Sequence, residues 1–585
     1  MSKELFLYPE PTKMELLPGT VSVPAPIPVS GFDAAKLKAL FGDMACATDS
    51  ETARVHCHTG KAREGGDEAY SLRIAAAGID IESPSAAGVL NGLRTLKQLL
   101  RRCKGKLPCL SIEDAPVFPV RGVMLDISRD RVPTMASLRM LIDKLSELKI
   151  NHLQFYIEHA FAYAGHEIVW RDASPITPEE MRFLDEYCQV RGIELCANQN
   201  TLGHMDRWLK HPLYAPLGEV SGQYIHPSGK LLGFLWQPNT LNPAAPGSLT
   251  LVRDLLAQQT AAVSGRFVNI GCDEPIDLGF GNSKAECEKR GRLMIYGEHI
   301  ARVAHIALEL GRRPLFWVDH ELSNRCDELP EFPRELIGLV WGYSDQTDFN
   351  TRTGNMIDRG HAVWAAPGTN SWCSYTGRTP VRRANFARAA ATRKLGATGF
   401  LCTEWGDIGH RQQWPITLLG LAESAWTAWT GEPPQSARAA GFQLFDDPEM
   451  GEWLEKFGLA DDHIRAPNAN GSFYDTLISF YNPNGYGSVA DWEKAKANLD
   501  ELARTAPAGN SLLARECRHA LDSVTWAVER ALLRRTPDPS REDRAVLDKH
   551  LLSVIETHKE LWLSRSRPGG LSDSVARYEI LMKLV

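Results

Sequence analysis

Residues 122–127 read Gly122-Val123-Met124-Leu125-Asp126-Ile127, a short apolar run, and the chain then switches to helical spacing at Leu138, Leu141, Ile142, Leu145 and Leu148. The same alternation recurs downstream. Apolar runs suited to buried parallel strands cover Gly122 to Ile127, His152 to Ile157, Ile193 to Ala197, Phe267 to Gly271, Leu315 to Val318, Leu336 to Trp341, Ala362 to Ala366 and Phe400 to Thr403. Strands alternating with helices in this number predict an α/β fold, a (β/α)8 TIM barrel. The competing doubly wound sheet is disfavoured, because no Gly-x-Gly-x-x-Gly follows an early strand.

Outward from this segment the rhythm changes on both sides. Upstream, Ser71 to Ile74 and Gly78 to Glu82 alternate with period two, and Val89, Leu90, Leu93, Leu96 and Leu100 share a helical face after Ser85. Downstream, strand patterns vanish and helical spacing returns at Leu513, Cys517, Leu521, Val524 and Val528, and again at Leu547, Leu551, Val554 and Leu561. The predicted organisation is a non-catalytic α+β domain over 1–117, a catalytic barrel over 118–432 and a helical domain over 433–585. Tyr481 to Gly487 is dense in turn formers and is expected to be a surface loop.

Composition narrows the partners. A formal charge of -7 over 585 residues, with no long basic run, argues against nucleic acid. The amino-terminal residues lack a signal-peptide pattern and no long apolar stretch occurs, so a cytoplasmic protein with no membrane partner is expected. Twelve cysteines without a Cys-x-x-Cys pair suggest reduced core residues. Many of the 15 tryptophans lie between 317 and 429, and indoles commonly stack on pyranose rings.

A barrel builds its active site at the carboxyl ends of its strands. Those ends present Asp126 and Arg129, Glu158 and His159, Asn198 to Asn200 with His204, Asp273 and Glu274, Trp317 and Asp319, Trp341 and Tyr343, Asn370 and Trp372, and Glu404, Trp405 and Asp407. Val268-Asn269-Ile270-Gly271-Cys272-Asp273-Glu274 is the sharpest of these, a strand closed by two adjacent carboxylates. Neighbours on an extended strand point to opposite sides, so the two do not readily flank one scissile bond as acid and nucleophile. They can divide the work around a nucleophile brought by the substrate. The plainer reading is a helix amino terminus, where acidic residues are favoured.

These residues resemble glycoside hydrolase family 20, the β-N-acetylhexosaminidases, whose hallmark is a Gly-x-Asp-Glu strand end. Ile112 to Arg129 is similar to that family's passage from its amino-terminal domain into the first barrel strand. The resemblance implies a retaining exo-enzyme acting on terminal β-linked GlcNAc or GalNAc through an oxazolinium intermediate, with Asp273 holding the acetamido group and Glu274 as acid and base. It further implies that Arg121 binds sugar hydroxyls, its alternative role being an interdomain ion pair. By the same resemblance, His204 would support the acids, Trp317, Trp341 and Trp372 would wall the acetamido pocket, and Glu404 with Trp405 would hold the outer sugar face. Tyr343 and Tyr375 are the candidates for the tyrosine on the acetamido carbonyl. The sequence departs from the family at Tyr156 to Tyr163, which lacks the usual His-x-His and paired-aspartate loop, and at Asn269, Cys272 and Pro275. No metal or other cofactor is expected. The competing readings are a metal-dependent hydrolase using His159, His166, Glu167 and His204, and a carbohydrate-binding barrel without turnover. Dimerisation through the helical tail is a further expectation.

Overall fold

The computed structural model describes residues 5, 7–60, 63–225, 235–372, 374–464, 471, 473 and 486–582. Most of the predicted loop at 481–487 lies outside them. Eight parallel strands close into a barrel in chain order, Val120–Asp126, His152–Tyr156, Glu194–Asn198, Phe267–Asn269, Arg313–Val318, Ile337–Trp341, Ala362–Ala366 and Gly399–Glu404. Closure is made by the last strand against the first, with Glu404 opposite Leu125. The helix after the first strand, Met135–Glu147, starts where the Thr134 side chain accepts from the Ser137 N–H, and buries Leu138, Leu141, Ile142 and Leu145. Each such side chain contributes about 1.5–3 kcal/mol by leaving water.

The fourth strand ends two residues earlier than its apolar run suggests. Asn269 turns its side-chain carbonyl to accept from the Gly271 N–H at 3.0 Å, and Gly271 and Cys272 follow with φ of 65° and 70°. A left-handed pair cannot continue a strand. Gly271 has no room for a side chain, since a Cβ there would lie 2.6 Å from Asn200.

The amino-terminal region is a seven-stranded mixed sheet within Lys13–Asp114, with helix Ala86–Cys103 packed on it through Val89, Leu93 and Leu96. It sits under the amino ends of the barrel strands, where Arg121 begins the first strand. The carboxyl-terminal region is helical, including Leu512–Leu533, Arg541–Arg565 and Leu571–Met582. Its last part returns to the barrel mouth. The Ser574 hydroxyl donates to Gly409 O at 2.6 Å, Arg131 Nε donates to Ser566 Oγ at 2.9 Å, and Asp573 pairs with Arg207 at 3.5 Å. The tail thereby braces the loops after the first, third and eighth strands. No helix among the described residues is long and apolar enough to cross a membrane, and all eleven described cysteines are free thiols.

Candidate active site

At the carboxyl ends of the strands lies a pocket of about 410 Å³ lined by Arg129, His204, Asp273, Glu274, Trp317, Trp341, Tyr343, Trp405 and Asp407. The Asp273–Glu274 pair does not follow the alternation of an extended strand. Because Cys272 and Glu274 have φ of 70° and 46°, the turn swings both carboxylates to the same side. His204 Nε2 lies 3.2 Å from Asp273 Oδ2 and 3.3 Å from Glu274 Oε2. The expectation that the two point apart is therefore corrected by the left-handed turn that precedes and includes them.

His204 is brought there by its own left-handed residue, φ 55°, after Gly203, whose absent Cβ would sit 2.1 Å from Asp273 O. Only glycine lets the two loops meet. Burial opposes the His204 imidazolium, but Asp273 and the hydrogen-bonding Glu274 outweigh it and hold its pKa well above the ordinary range. Burial likewise opposes ionisation of Asp273, but the His204 charge and the Asn200 amide win and keep the carboxyl below its usual value. Asn200 Nδ2 donates to Asp273 Oδ1 at 2.8 Å. Asp273 is thus a fixed, ionised acceptor, while the Glu274 side chain is 51% exposed and faces the opening.

The loops after the first two strands build the opposite wall. Asp126 accepts from the Arg129 N–H at 3.1 Å and from its Nη1 at 3.1 Å, and from the Gly406 N–H at 3.0 Å. Arg129 Nε pairs with Glu158 Oε1 at 3.1 Å, and its guanidinium lies 4.7 Å from the Tyr156 ring and 5.0 Å from the Trp405 ring. Such packing leaves the fork rigid and pointed. Burial pushes the Glu158 carboxyl up to about 7 against the pull of Arg129 and His204. Trp317 and Trp405 meet at 5.7 Å, Trp341 stacks on Tyr343 at 5.6 Å, and Trp405 Nε1 donates to the Tyr343 hydroxyl at 2.8 Å.

Three of the expected residues lie elsewhere. Arg121 is completely buried at the amino end of its strand, about 16 Å of strand away from Asp126. It is bonded to Glu68 and to the carbonyls of Phe118 and Lys149. It makes the interdomain ion pair, and Arg129 takes the place in the pocket. Glu404 is also completely buried and points behind the wall, where it accepts from Thr369, from Ser371 at 2.6 Å, from Gln412 at 2.9 Å and from Thr417 at 2.8 Å. The carboxylate that reaches the pocket is Asp407, two residues beyond Trp405. Trp372 packs edge-on behind Tyr343 at 5.2 Å and does not line the pocket. Of the two candidate tyrosines, Tyr343 lines it, and Tyr375 lies instead near Arg411. Arg129, Glu158 and Asp407 were visible as polar strand-end residues. Their offset past the strand, rather than their type, was the signal that separates them from Arg121 and Glu404.

Among the described residues, His204, Asp273 and Glu274 are a group whose ligand atoms lie within 4.8 Å of one another, as an ion would need. Of the set expected for a metal hydrolase, His166 is engaged instead by Tyr214 at 2.6 Å and Asp254 at 2.8 Å.

Comparison with known proteins agrees with this geometry. Residues 118–433 match glycosyl hydrolase family 20, catalytic domain, and residues 4–115 match domain 2 of the same family. A β-N-acetylhexosaminidase of Cellulomonas fimi is 26% identical over 62% of this chain and 69% of its own. The β-hexosaminidase subunit A1 of Dictyostelium discoideum is 28% identical over 62% of this chain and 70% of its own. Among solved structures, the chitobiase of Flavobacterium johnsoniae superposes with a TM-score of 0.61 at 18% identity, covering 96% of this chain and 100% of that one. An exo-β-N-acetylglucosaminidase of Vibrio harveyi in complex with N-acetylglucosamine gives a TM-score of 0.59 at 19% identity, over 75% of this chain and 76% of that one. With the barrel, the Asp-Glu turn and the matched segments in agreement, the chain belongs to glycosyl hydrolase family 20.

Proposed function

We propose that the protein is a retaining exo-β-N-acetylhexosaminidase that removes terminal β-linked GlcNAc or GalNAc with the help of the substrate's acetamido group. The observation that carries the reading is the turn at Gly271–Glu274, which places an ionised, fixed Asp273 and an accessible Glu274 side by side under indole walls. In the first step the acetamido carbonyl oxygen attacks the anomeric carbon as the glycosidic bond breaks. Asp273 accepts the amide N–H and stabilises the positive charge of the ring so formed, while Glu274 gives its proton to the leaving oxygen. In the second step Glu274 takes a proton from water, which opens the ring at the anomeric carbon. Two inversions give net retention. Arg129 and Asp407, on the wall beside Trp405, are suited to the outer hydroxyls and close the pocket around a single terminal sugar.

The ligand atoms of Asp273 and Glu274 lie within 4.8 Å, close to the spacing of an ordinary double-displacement pair, so the substrate's role as nucleophile has its own test. Paired nitrophenyl β-GlcNAc and β-GalNAc glycosides are assayed with and without a thiazoline mimic of the cyclic intermediate. Turnover blocked by the mimic supports the reading and ranks the two sugars. Undiminished turnover in saturating mimic rejects the acetamido nucleophile. A sugar-binding barrel without turnover is the second reading, and calorimetric binding of GlcNAc with no product from either glycoside would favour it.

A further inference from the structure

Asp319 directly follows the fifth barrel strand and precedes the short helix His320–Asn324, the position at which an aspartate normally caps the helix. It makes no such cap. Its side chain turns instead to the catalytic turn, where Oδ2 lies 2.9 Å from the Glu274 N–H nitrogen and 2.9 Å from the Tyr296 hydroxyl. The Tyr296 hydroxyl also lies 2.6 Å from Cys272 O. A chain of contacts therefore runs from Glu274 N–H through Asp319 and Tyr296 to the carbonyl of Cys272, and closes a ring around Asp273.

Tyr296 has one hydroxyl proton and two oxygen neighbours, Cys272 O and Asp319 Oδ2, so both contacts are full hydrogen bonds only when the Asp319 carboxyl carries a proton of its own, whereas an ionised Asp319 competes with Cys272 O for the tyrosine's proton. The surroundings favour the protonated carboxyl. Asp319 is 8% exposed and its other oxygen, Oδ1, has no hydrogen-bond partner, an arrangement costly for a carboxylate. The charged or titratable groups around it are the carboxylates of Asp273 and Glu274, the thiol of Cys272, Tyr296, and Arg352, whose guanidinium is spent on the carbonyls of Trp341 and Val318. Burial, with the two carboxylates, pushes the Asp319 carboxyl up to about 8.

We propose that Asp319, hydrogen-bonded to Tyr296, is a positioning residue that clamps the Cys272–Glu274 turn and thereby sets the reach of the Glu274 carboxyl. The proposal rests on Glu274 being the acid and base. The clamp holds a strained residue, since Glu274 at φ 46° sits in a region that disfavours side chains other than glycine. A loosened turn displaces the proton donor from the leaving oxygen, and a displacement of about 1 Å costs about 10²-fold in rate.

The experiment compares Glu274→Gln, Asp319→Ala, Asp319→Asn, Tyr296→Phe and the Asp319→Ala/Tyr296→Phe double variant on acetamido glycosides with a nitrophenyl and with an alkyl leaving group. Asp319→Ala is expected to lower kcat by about 30- to 100-fold with little change in KM, more severely for the alkyl glycoside. The ratio between the two substrates is independent of how much of the variant folds. Asp319→Asn restores most of the loss, and the double variant is no worse than the poorer single one, as expected for one clamp. In the intact protein kcat falls as pH rises past about 8, when Asp319 ionises, and Asp319→Asn removes that part of the decline. Asp319→Ala with an unchanged leaving-group ratio, additive losses in the double variant, or an unaltered pH profile in Asp319→Asn overturns the clamp. Glu274→Gln is the control: if it shows no leaving-group dependence, the parent reading fails and takes the clamp with it.

Discussion

The two ends of the barrel hold buried charges of the same kinds and use them in opposite ways. At the amino end Arg121 pairs with Glu68, and Lys149 lies 3.1 Å from Asp114 and 4.2 Å from the Trp429 ring. Asp114 also accepts from Tyr70 at 2.8 Å and Trp429 at 2.9 Å. Each carboxylate there is matched inside the protein, so the cluster cements one domain to the next. At the carboxyl end one imidazole faces Asp273 and Glu274 together, a third carboxyl lies behind them, and the backbone is left-handed at Gly271, Cys272, Glu274 and His204. Charges left open to a pocket on a strained turn are a mark of chemistry; charges closed on one another are a mark of assembly.

Substitutions at the two ends should therefore diverge. The largest effect is expected for Glu274→Gln, a loss of about 10²–10⁴-fold in turnover that is steepest with poor leaving groups. Asp273→Asn should hurt every acetamido substrate alike. Next, Arg129→Ala should lower kcat/KM by about 10²-fold with a folded protein, whereas Arg121→Ala should leave KM unchanged and cost about 3 kcal/mol of stability by stranding Glu68. Equal effects of the two arginine variants on KM would erase the distinction between the ends.

The charges at the mouth also predict a pH signature. A carboxyl whose folded pKa is raised contributes stability that is fully present below its unfolded value and is lost as pH rises through the folded one. For Glu158 that window closes at about 7. Thermal melts of Glu158→Gln should consequently vary less between pH 5 and 8 than those of the parent protein. Asp273, with its pKa depressed, acts in the opposite sense and loses its contribution as pH falls. Smaller still, Glu404→Gln should change kcat/KM by less than about threefold, since its partners are four side chains behind the wall, and its cost of about 1 kcal/mol is structural. Exhaustive chelation should have no effect on kcat/KM, and a loss restored by one divalent ion would give His204, Asp273 and Glu274 a different role.

The barrel was legible in the sequence because each strand is an apolar run and each following helix keeps its spacing, as Gly122 to Ile127 and Leu138 to Leu148 show. Asp273 and Glu274 were legible because two carboxylates ending such a run are hard to explain as core. What misled was the assumption that residue type near a strand settles its place. Arg121 lies at the amino end of the first strand and Arg129 beyond its carboxyl end, and Glu404 is the last residue of the eighth strand with Asp407 three residues on, yet one of each pair faces the pocket. The difference lies in which end of the strand each occupies and in the turn that follows. The convergence of Asp273 and Glu274 was hidden for the same reason, because Cys272 and Glu274 adopt a conformation rare for side-chain-bearing residues.

The most direct test of the central claim is the rate on two aryl glycosides that differ only at C2, a β-GlcNAc glycoside and the matching β-glucoside. Turnover of the first, with the second slower by about 10³-fold or more, is the predicted result. Comparable turnover of both sugars would contradict it and make Asp273, rather than the substrate, the nucleophile.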